Sequence, residues 1–180
     1  MSEENVYWYV LFAKTGQEER LVDMLTGILR GLGTPFIPLK TCVFRRQGQK
    51  SLFRKICFPG YIFIESNKSA VDFLAGSFPI LYKTRGVYRF LHYGDDRLDV
   101  AMRENERKVL ESFLGRDRCI DISTGFREGD SIRVIAGPLV GSESRIIKVN
   151  KKRHEVATAL DMFGNSVEVV VGIEFIEKAD

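Results

Sequence analysis

Residues 129–141, Gly-Asp-Ser-Ile-Arg-Val-Ile-Ala-Gly-Pro-Leu-Val-Gly, constrain the fold more than any other segment of the chain. Ile132 and Val134 alternate with Ser131 and Arg133, the period-two pattern of a strand buried on one face, and Gly137-Pro138 with Gly141 interrupt it as a tight turn does. Strands are expected at 131–136 within this segment and after it near 142–149, 155–160, 166–171 and 173–176, with turn residues at Gly137-Pro138, Asn150 to Arg153 and Phe163-Gly164-Asn165. Short strands at even spacing suit a small barrel. The β-branched run of Val167, Val169, Val170 and Val171 favours strand over helix, and Pro138 would break a helix.

The upstream residues read differently. Val6 to Phe12 is β-branched and aromatic, as in a strand covered on both faces. From Gln17 to Gly31 the period changes: Leu21, Met24, Leu25, Ile28 and Leu32 recur at helical spacing opposite Glu18, Glu19 and Arg30. Strands near Thr41 to Arg46 and Leu52 to Ile56 around Gly48 predict a hairpin. A strand at Tyr61 to Glu65, a short helix at Ser69 to Ala75, a strand at Val87 to Leu91 and a helix from Asp99 to Leu114 complete an α+β pattern. Gly115 to Gly125 is polar and aperiodic, so residues 116–125 are expected to link a domain at 5–115 to one at 126–180.

Charge points the same way. Residues 1–115 carry 17 Lys and Arg against 13 Asp and Glu, whereas residues 116–180 carry 10 against 11, so a nucleic-acid footprint is sought first in the N-terminal part. Cys42, Cys57 and Cys119 form no CxxC pair, His92 and His154 have no ligand-spaced neighbours, and no signal peptide or long apolar run is read. A reduced, cytoplasmic chain without metal, cofactor or membrane contact is expected. Phosphate-binding loops, paired-His helices and nucleophile elbows are absent from the sequence, and Glu18-Glu19 and Asp95-Asp96 read as helix-start and turn residues, so no catalytic residue and no enzyme activity are expected.

Residues 129–141 resemble a KOW motif. Upstream stand, in order, Trp8-Tyr9-Val10, Gly16-Gln17-Glu18, Phe58-Pro59-Gly60-Tyr61-Ile62-Phe63 and Thr84-Arg85-Gly86-Val87. Together these are similar to the NusG family of transcription elongation factors from about Val6 to Ile176. The resemblance implies an NGN-type α/β sandwich followed by an SH3-like KOW barrel. Within the family, the basic residues and the region Gly137 to His154 look most like the specialised antitermination paralogs such as LoaP and RfaH. The implied role is transcription elongation and antitermination: the N-terminal domain bridges the cleft of RNA polymerase and suppresses pausing and termination.

Phe12, Phe58, Tyr61, Phe63 and Phe90 match the aromatic cavity that, in this family, receives the clamp helices of the polymerase. Pattern alone leaves open whether they are ordinary core. Lys14, Arg20 and Arg85 match positions facing DNA in the specialised paralogs, while an isolated Lys or Arg usually reads as a solvated surface residue. Lys40, Arg45, Arg46, Lys50, Arg54 and Lys55 lie in a stretch without Asp or Glu and predict a basic hairpin for nucleic acid, either an RNA hairpin or non-template DNA. A charged, soluble hairpin tip is the bland alternative. The implied further partners are a small-subunit ribosomal protein or Rho, with the chain itself a monomer. A housekeeping NusG-type factor coupling polymerase to ribosome or Rho, and a ribosome-associated or RNA-binding KOW protein, stay open.

Overall fold

The computed structural model describes residues 5–129 and 131–177, and Asp130 of the KOW-like motif lies outside the described residues. The elements in chain order are β1 (Tyr7–Ala13), α1 (Glu18–Ile28), β2 (Thr34–Phe36), β3 (Leu39–Arg46), β4 (Gln49–Ile56), β5 (Tyr61–Ser66), α2 (Ala70–Leu81), β6 (Val87–Phe90), α3 (Glu104–Phe113), β7 (Cys119–Ile120), β8 (Ser123–Glu128), β9 (Ser131–Ala136), a 3-10 turn (Glu143–Arg145), β10 (Ile146–Asn150), β11 (Glu155–Met162) and β12 (Asn165–Phe175). The expected α+β class is observed.

Two compact units result. The first comprises the described part of Met1–Ile37 with Phe58–Arg107 and Met162–Asn165. Its sheet has the order β2-β5-β1-β6. Antiparallel register places Leu11 opposite Ile62 and Phe90, and Phe12 opposite Tyr61 and Arg89. Because successive side chains of a strand alternate between faces, Tyr9, Leu11, Ile62 and Ile64 share one side of the sheet. There they form the core with Leu21, Leu25 and Leu29 from α1 and Phe73 from α2. Each of these large side chains stabilises the unit by about 1.5–3 kcal/mol on full burial. Tyr9 stacks on Phe73 at 4.1 Å.

α2 runs six residues beyond the expected end at Ala75. A Cβ on Gly76 would sit 2.7 Å from Leu32 Cδ2, so glycine serves helix packing here rather than a turn. Pro79 stands in the last helical turn. It removes one backbone donor there without ending the helix. α3 begins at Glu104 rather than Asp99, because Val100 to Met102 are drawn to β1: Ala101 bridges Tyr9, and Met102 N–H donates to Trp8 O at 2.8 Å.

The second unit comprises Pro38–Cys57, Lys108–Asp161 and the described part of Ser166–Asp180. A five-stranded sheet has the order β10-β11-β12-β8-β9, and a three-stranded one the order β4-β3-β7. Two sequence expectations are corrected. The 116–125 segment is not a bare linker: only Gly115 to Arg118 form a turn, in which Arg118 N–H donates to Gly115 O at 3.0 Å, and β7 then runs parallel to β3 with Cys119, Ile120 and Ser123 buried. Of the five expected strands, 131–136 stands as β9 and 155–160 lies within β11, while the other three change. β8 begins inside the expected linker, residues 142–145 form a 3-10 turn with its cap, and 166–171 with 173–176 are one strand, since Gly172 continues it. The KOW-like turn stands as expected. Gly137 adopts φ +95°, where a Cβ would lie 2.6 Å from Ser123 Cα, and Leu139 N–H donates to Ser123 Oγ at 3.1 Å.

Candidate functional site

Opposite the helix-packed core, the sheet of the first unit carries aromatic side chains in a gradient from buried to exposed. Trp8 packs against Phe36 at 5.1 Å and Phe63 at 6.1 Å, and Phe58 against Phe63 at 5.6 Å; all four are buried. Trp8 Nε1 donates to Glu65 Oε2 at 2.9 Å. Phe12 then meets Tyr61 at 5.6 Å and Tyr88 at 5.3 Å, with the Arg89 guanidinium 5.8 Å from the Phe12 ring. Phe12 and Tyr61 are half-buried, and Tyr88 is 58% exposed. Rings that are rigid beneath and open at one end form the kind of surface that anchors a protein partner.

The structure brings four of the five expected aromatics together and excludes the fifth. Phe90 pairs with Leu11, on the helix side of the sheet, and meets Phe73 edge-on at 6.0 Å. There it helps line a second, apolar cleft of about 1010 Å³ with Phe78, Pro79, Tyr82 and Leu98. A one-residue difference in register decides which face a strand residue joins. The pairing of Leu11 with Phe90 and of Phe12 with Arg89 sets that face, and composition does not reveal it.

The turn bearing Phe58 and Tyr61 is tied to α1 by Glu18, a residue whose sequence pattern indicates only a helix start. Glu18, 2% exposed, accepts the Gly60 N–H at 2.7 Å, while Ala13 N–H donates to Gly60 O at 2.8 Å. The carboxylate therefore satisfies a buried backbone donor and holds the Phe58-Pro59-Gly60-Tyr61 turn against β1. A Glu at the start of a helix facing a Pro-Gly turn is a weak sequence signal. Glu106, also buried, accepts Tyr93 Oη together with the N–H groups of Phe163 at 2.9 Å and Gly164 at 3.1 Å. Glu18 and Glu106, the buried carboxylates among the described residues of this unit, are thus both engaged by donors.

Lys14, Arg20 and Arg85, distant in sequence, line one pocket of about 550 Å³ with Gln17, Gly86 and Tyr88. Lys14 N–H donates to Gly86 O at 2.8 Å, which fixes the two loops together, and Arg20 Nη2 donates to Gln17 Oε1 at 3.2 Å. Since Glu18 turns inward to Gly60, the pocket is lined by three cations and a neutral amide beside Met24 and Tyr88, with no carboxylate. Such a lining suits a phosphate backbone. Tyr88 belongs both to this pocket and to the aromatic face.

In the second unit, β3 and β4 form the expected hairpin around Gly48, with Arg46 opposite Gln49, Arg45 opposite Lys50 and Lys40 opposite Lys55. Its cations do not gather as one patch. Lys40 Nζ donates to Val170 O at 2.6 Å, Lys50 pairs with Glu174 at 2.8 Å and Arg54 with Asp117. The Lys55 ammonium lies 5.1 Å from the Phe53 ring, and Arg46 is exposed. The Arg45 side chain lies outside the described residues.

Among the described residues no three His, Cys, Asp or Glu side chains gather as metal ligands, and no helix is long and apolar enough to cross a membrane. Burial pushes the Cys57 thiol up to about 12, which leaves it neutral and a poor nucleophile near pH 7.

Comparison with known proteins gives one result. The family model for NusG, described as transcription termination factor nusG, matches residues 6–111. The transcription termination/antitermination protein NusG of Thermus thermophilus is 27% identical over 184 residues, covering 97% of this chain and 100% of that protein. The protein of the same description from Borreliella burgdorferi is 25% identical, covering 95% of this chain and 97% of its own length. A solved structure on domain interaction in Thermotoga maritima NusG gives a TM-score of 0.48 at 19% identity, over 93% of this chain and 94% of that one. With the family model spanning more than half of its residues, and relatives aligned along nearly all of them, the chain belongs to the NusG family of transcription termination/antitermination proteins.

Proposed function

We propose that this protein is an elongation and antitermination factor that docks on RNA polymerase through Phe12 and Tyr61, with Phe58 and Phe63 supporting them from beneath. One observation carries the reading. Tyr88 joins the open end of the aromatic face to the Lys14, Arg20 and Arg85 pocket, so an apolar anchor and a phosphate-binding surface adjoin. A protein bound at the edge of a nucleic-acid channel needs both. Phe90 is assigned no part in this contact. The action is mechanical: binding across the polymerase cleft favours the closed clamp and opposes pausing and termination, and no covalent step is required.

The finer reading is a specialised factor, directed to chosen transcripts by a nucleic-acid element that the β3–β4 hairpin contacts. Exposed Arg46 and Lys55 support this. The relatives named transcription termination/antitermination protein NusG favour instead a general factor. In either case Ile135 and Val140, exposed at the KOW-like turn, offer an apolar surface for a second protein such as a ribosomal protein or Rho.

Transcription across a terminator with purified polymerase tests both. Addition of the protein is expected to raise read-through, and Tyr61→Ala to abolish the gain. Read-through that rises only with a particular upstream leader supports the specialised factor, and an equal rise on every template supports the general one. No change in read-through on any template overturns the proposal.

A further inference from the structure

The ribbon made by β3 and β4 has one face whose chemistry exceeds simple charge. In its antiparallel register Cys42 faces Phe53, Phe44 faces Ser51, and Arg46 faces Gln49. Directly opposed residues point to the same side, so Phe44, Arg46, Gln49, Ser51, Phe53 and Lys55 share one face. Phe44 is 52% exposed and Phe53 38%. Neither ring contacts another aromatic ring among the described residues. Two phenylalanines left open at diagonal positions forgo the stabilisation that full burial would give them, and polar residues would serve an ordinary solvated ribbon equally well.

We propose that this face is a stacking platform for unpaired nucleobases, with Phe44 and Phe53 each taking one base. The inference rests on the nucleic-acid reading of the hairpin and deepens it. Phe44 and Phe53 occupy diagonal positions, about 7–8 Å apart along the ribbon. That exceeds twice the roughly 3.4 Å spacing of nucleotides along one strand of a duplex. The platform therefore fits bases splayed out of a helix, as in an RNA loop, rather than bases stacked within one.

The cations are placed to match. Arg46 lies toward the turn from Phe44, and the Lys55 ammonium sits over the Phe53 ring, 5.1 Å from its centre, at the opposite end of the pair. Among the described residues neither has a carboxylate partner, whereas Lys50 and Arg54, on the other face, are paired with Glu174 and Asp117. One face thus combines open rings, cations without a carboxylate, and the amide of Gln49 as a hydrogen-bonding group for base edges. Charge complementarity selects a polyanion, and the rings select one with exposed bases.

The test uses the full chain and a stem–loop RNA with a purine-rich unpaired loop, set against the same RNA with abasic loop positions. Binding is read by fluorescence anisotropy over a range of salt. Wild type is expected to prefer the base-bearing loop by about tenfold or more, and Phe44→Leu/Phe53→Leu to lose that preference while keeping salt-dependent binding. Equal binding of both RNAs by wild type, with binding lost in Arg46→Glu/Lys55→Glu, overturns the platform and leaves backbone contact by the hairpin standing. Unchanged binding after charge reversal, or no binding by wild type, overturns the nucleic-acid reading as well. The abasic comparison decides on wild type alone, so a variant that fails to fold does not remove the test.

Discussion

The sheet of the first unit and the β3–β4 ribbon of the second both alternate large apolar residues along antiparallel strands, and they put that pattern to opposite uses. In β1 and β5 the side chains on both faces are largely buried, with Tyr9 and Ile62 against helices and Trp8 and Phe63 among other rings. In β3 and β4 the residues toward the turn are exposed on both faces, with Phe44 and Phe53 on one and Leu52 on the other. Alternation alone therefore identifies a strand without saying whether anything covers it. The covering layer decides whether an aromatic residue stabilises the fold or remains available to a partner.

Matched substitutions sharpen the contrast. Phe63→Ala removes a fully buried ring and is expected to cost about 3–5 kcal/mol of stability, whereas Phe44→Ala, at a ring 52% exposed, is expected to cost about 1 kcal/mol or less. Denaturant titration of the two variants checks this, and comparable destabilisation would break the comparison. A second pair contrasts buried and exposed carboxylates. Glu18→Ala leaves the Gly60 N–H without its acceptor and is expected to cost about 1–3 kcal/mol. Glu174→Ala removes a partly exposed ion pair with Lys50, for which thermal unfolding should register a decrease of less than about 1 kcal/mol.

The smallest expected effect concerns the cation pocket. Lys14→Ala/Arg85→Ala is expected to leave stability unchanged and to reduce the salt dependence of nucleic-acid binding by a slope of about 0.9 for each duplex phosphate that these cations neutralise. Binding isotherms at several salt concentrations measure that slope. An unchanged slope would place these cations on a merely solvated surface.

How far the sequence discloses the molecule depends on the range of the interactions involved. β1, α1 and the turn at Gly137 are legible because local period and turn chemistry set them. The extension of α2 through Pro79 is not, because the reason for Gly76 is Leu32, a residue 44 positions earlier. β7 is hidden because two apolar residues inside a polar stretch make a strand only when β3 is present to pair with them. In the candidate site, Phe12, Phe58, Tyr61 and Phe63 are recognisable through motif resemblance and do converge. Phe90 lies on the opposite face from the one expected, because register with β1, rather than its own strand, sets its direction. Tyr88 carries no sequence signal as a site residue and Glu18 only a weak one: the role of each depends on a partner distant in sequence, Phe12 for one and Gly60 for the other.

The first unit has two apolar surfaces open to a partner, the aromatic face ending at Tyr61 and the cleft lined by Tyr82, and the polymerase is assigned to the first. The most direct measurement is the affinity of purified RNA polymerase for wild type, Tyr61→Ala and Tyr82→Ala, with folding of each verified by circular dichroism. The prediction is that Tyr61→Ala weakens binding by about 2 kcal/mol or more while Tyr82→Ala binds as wild type does. Full affinity in a folded Tyr61→Ala, with binding abolished in Tyr82→Ala, would contradict this assignment and transfer the docking site to the cleft beside α2.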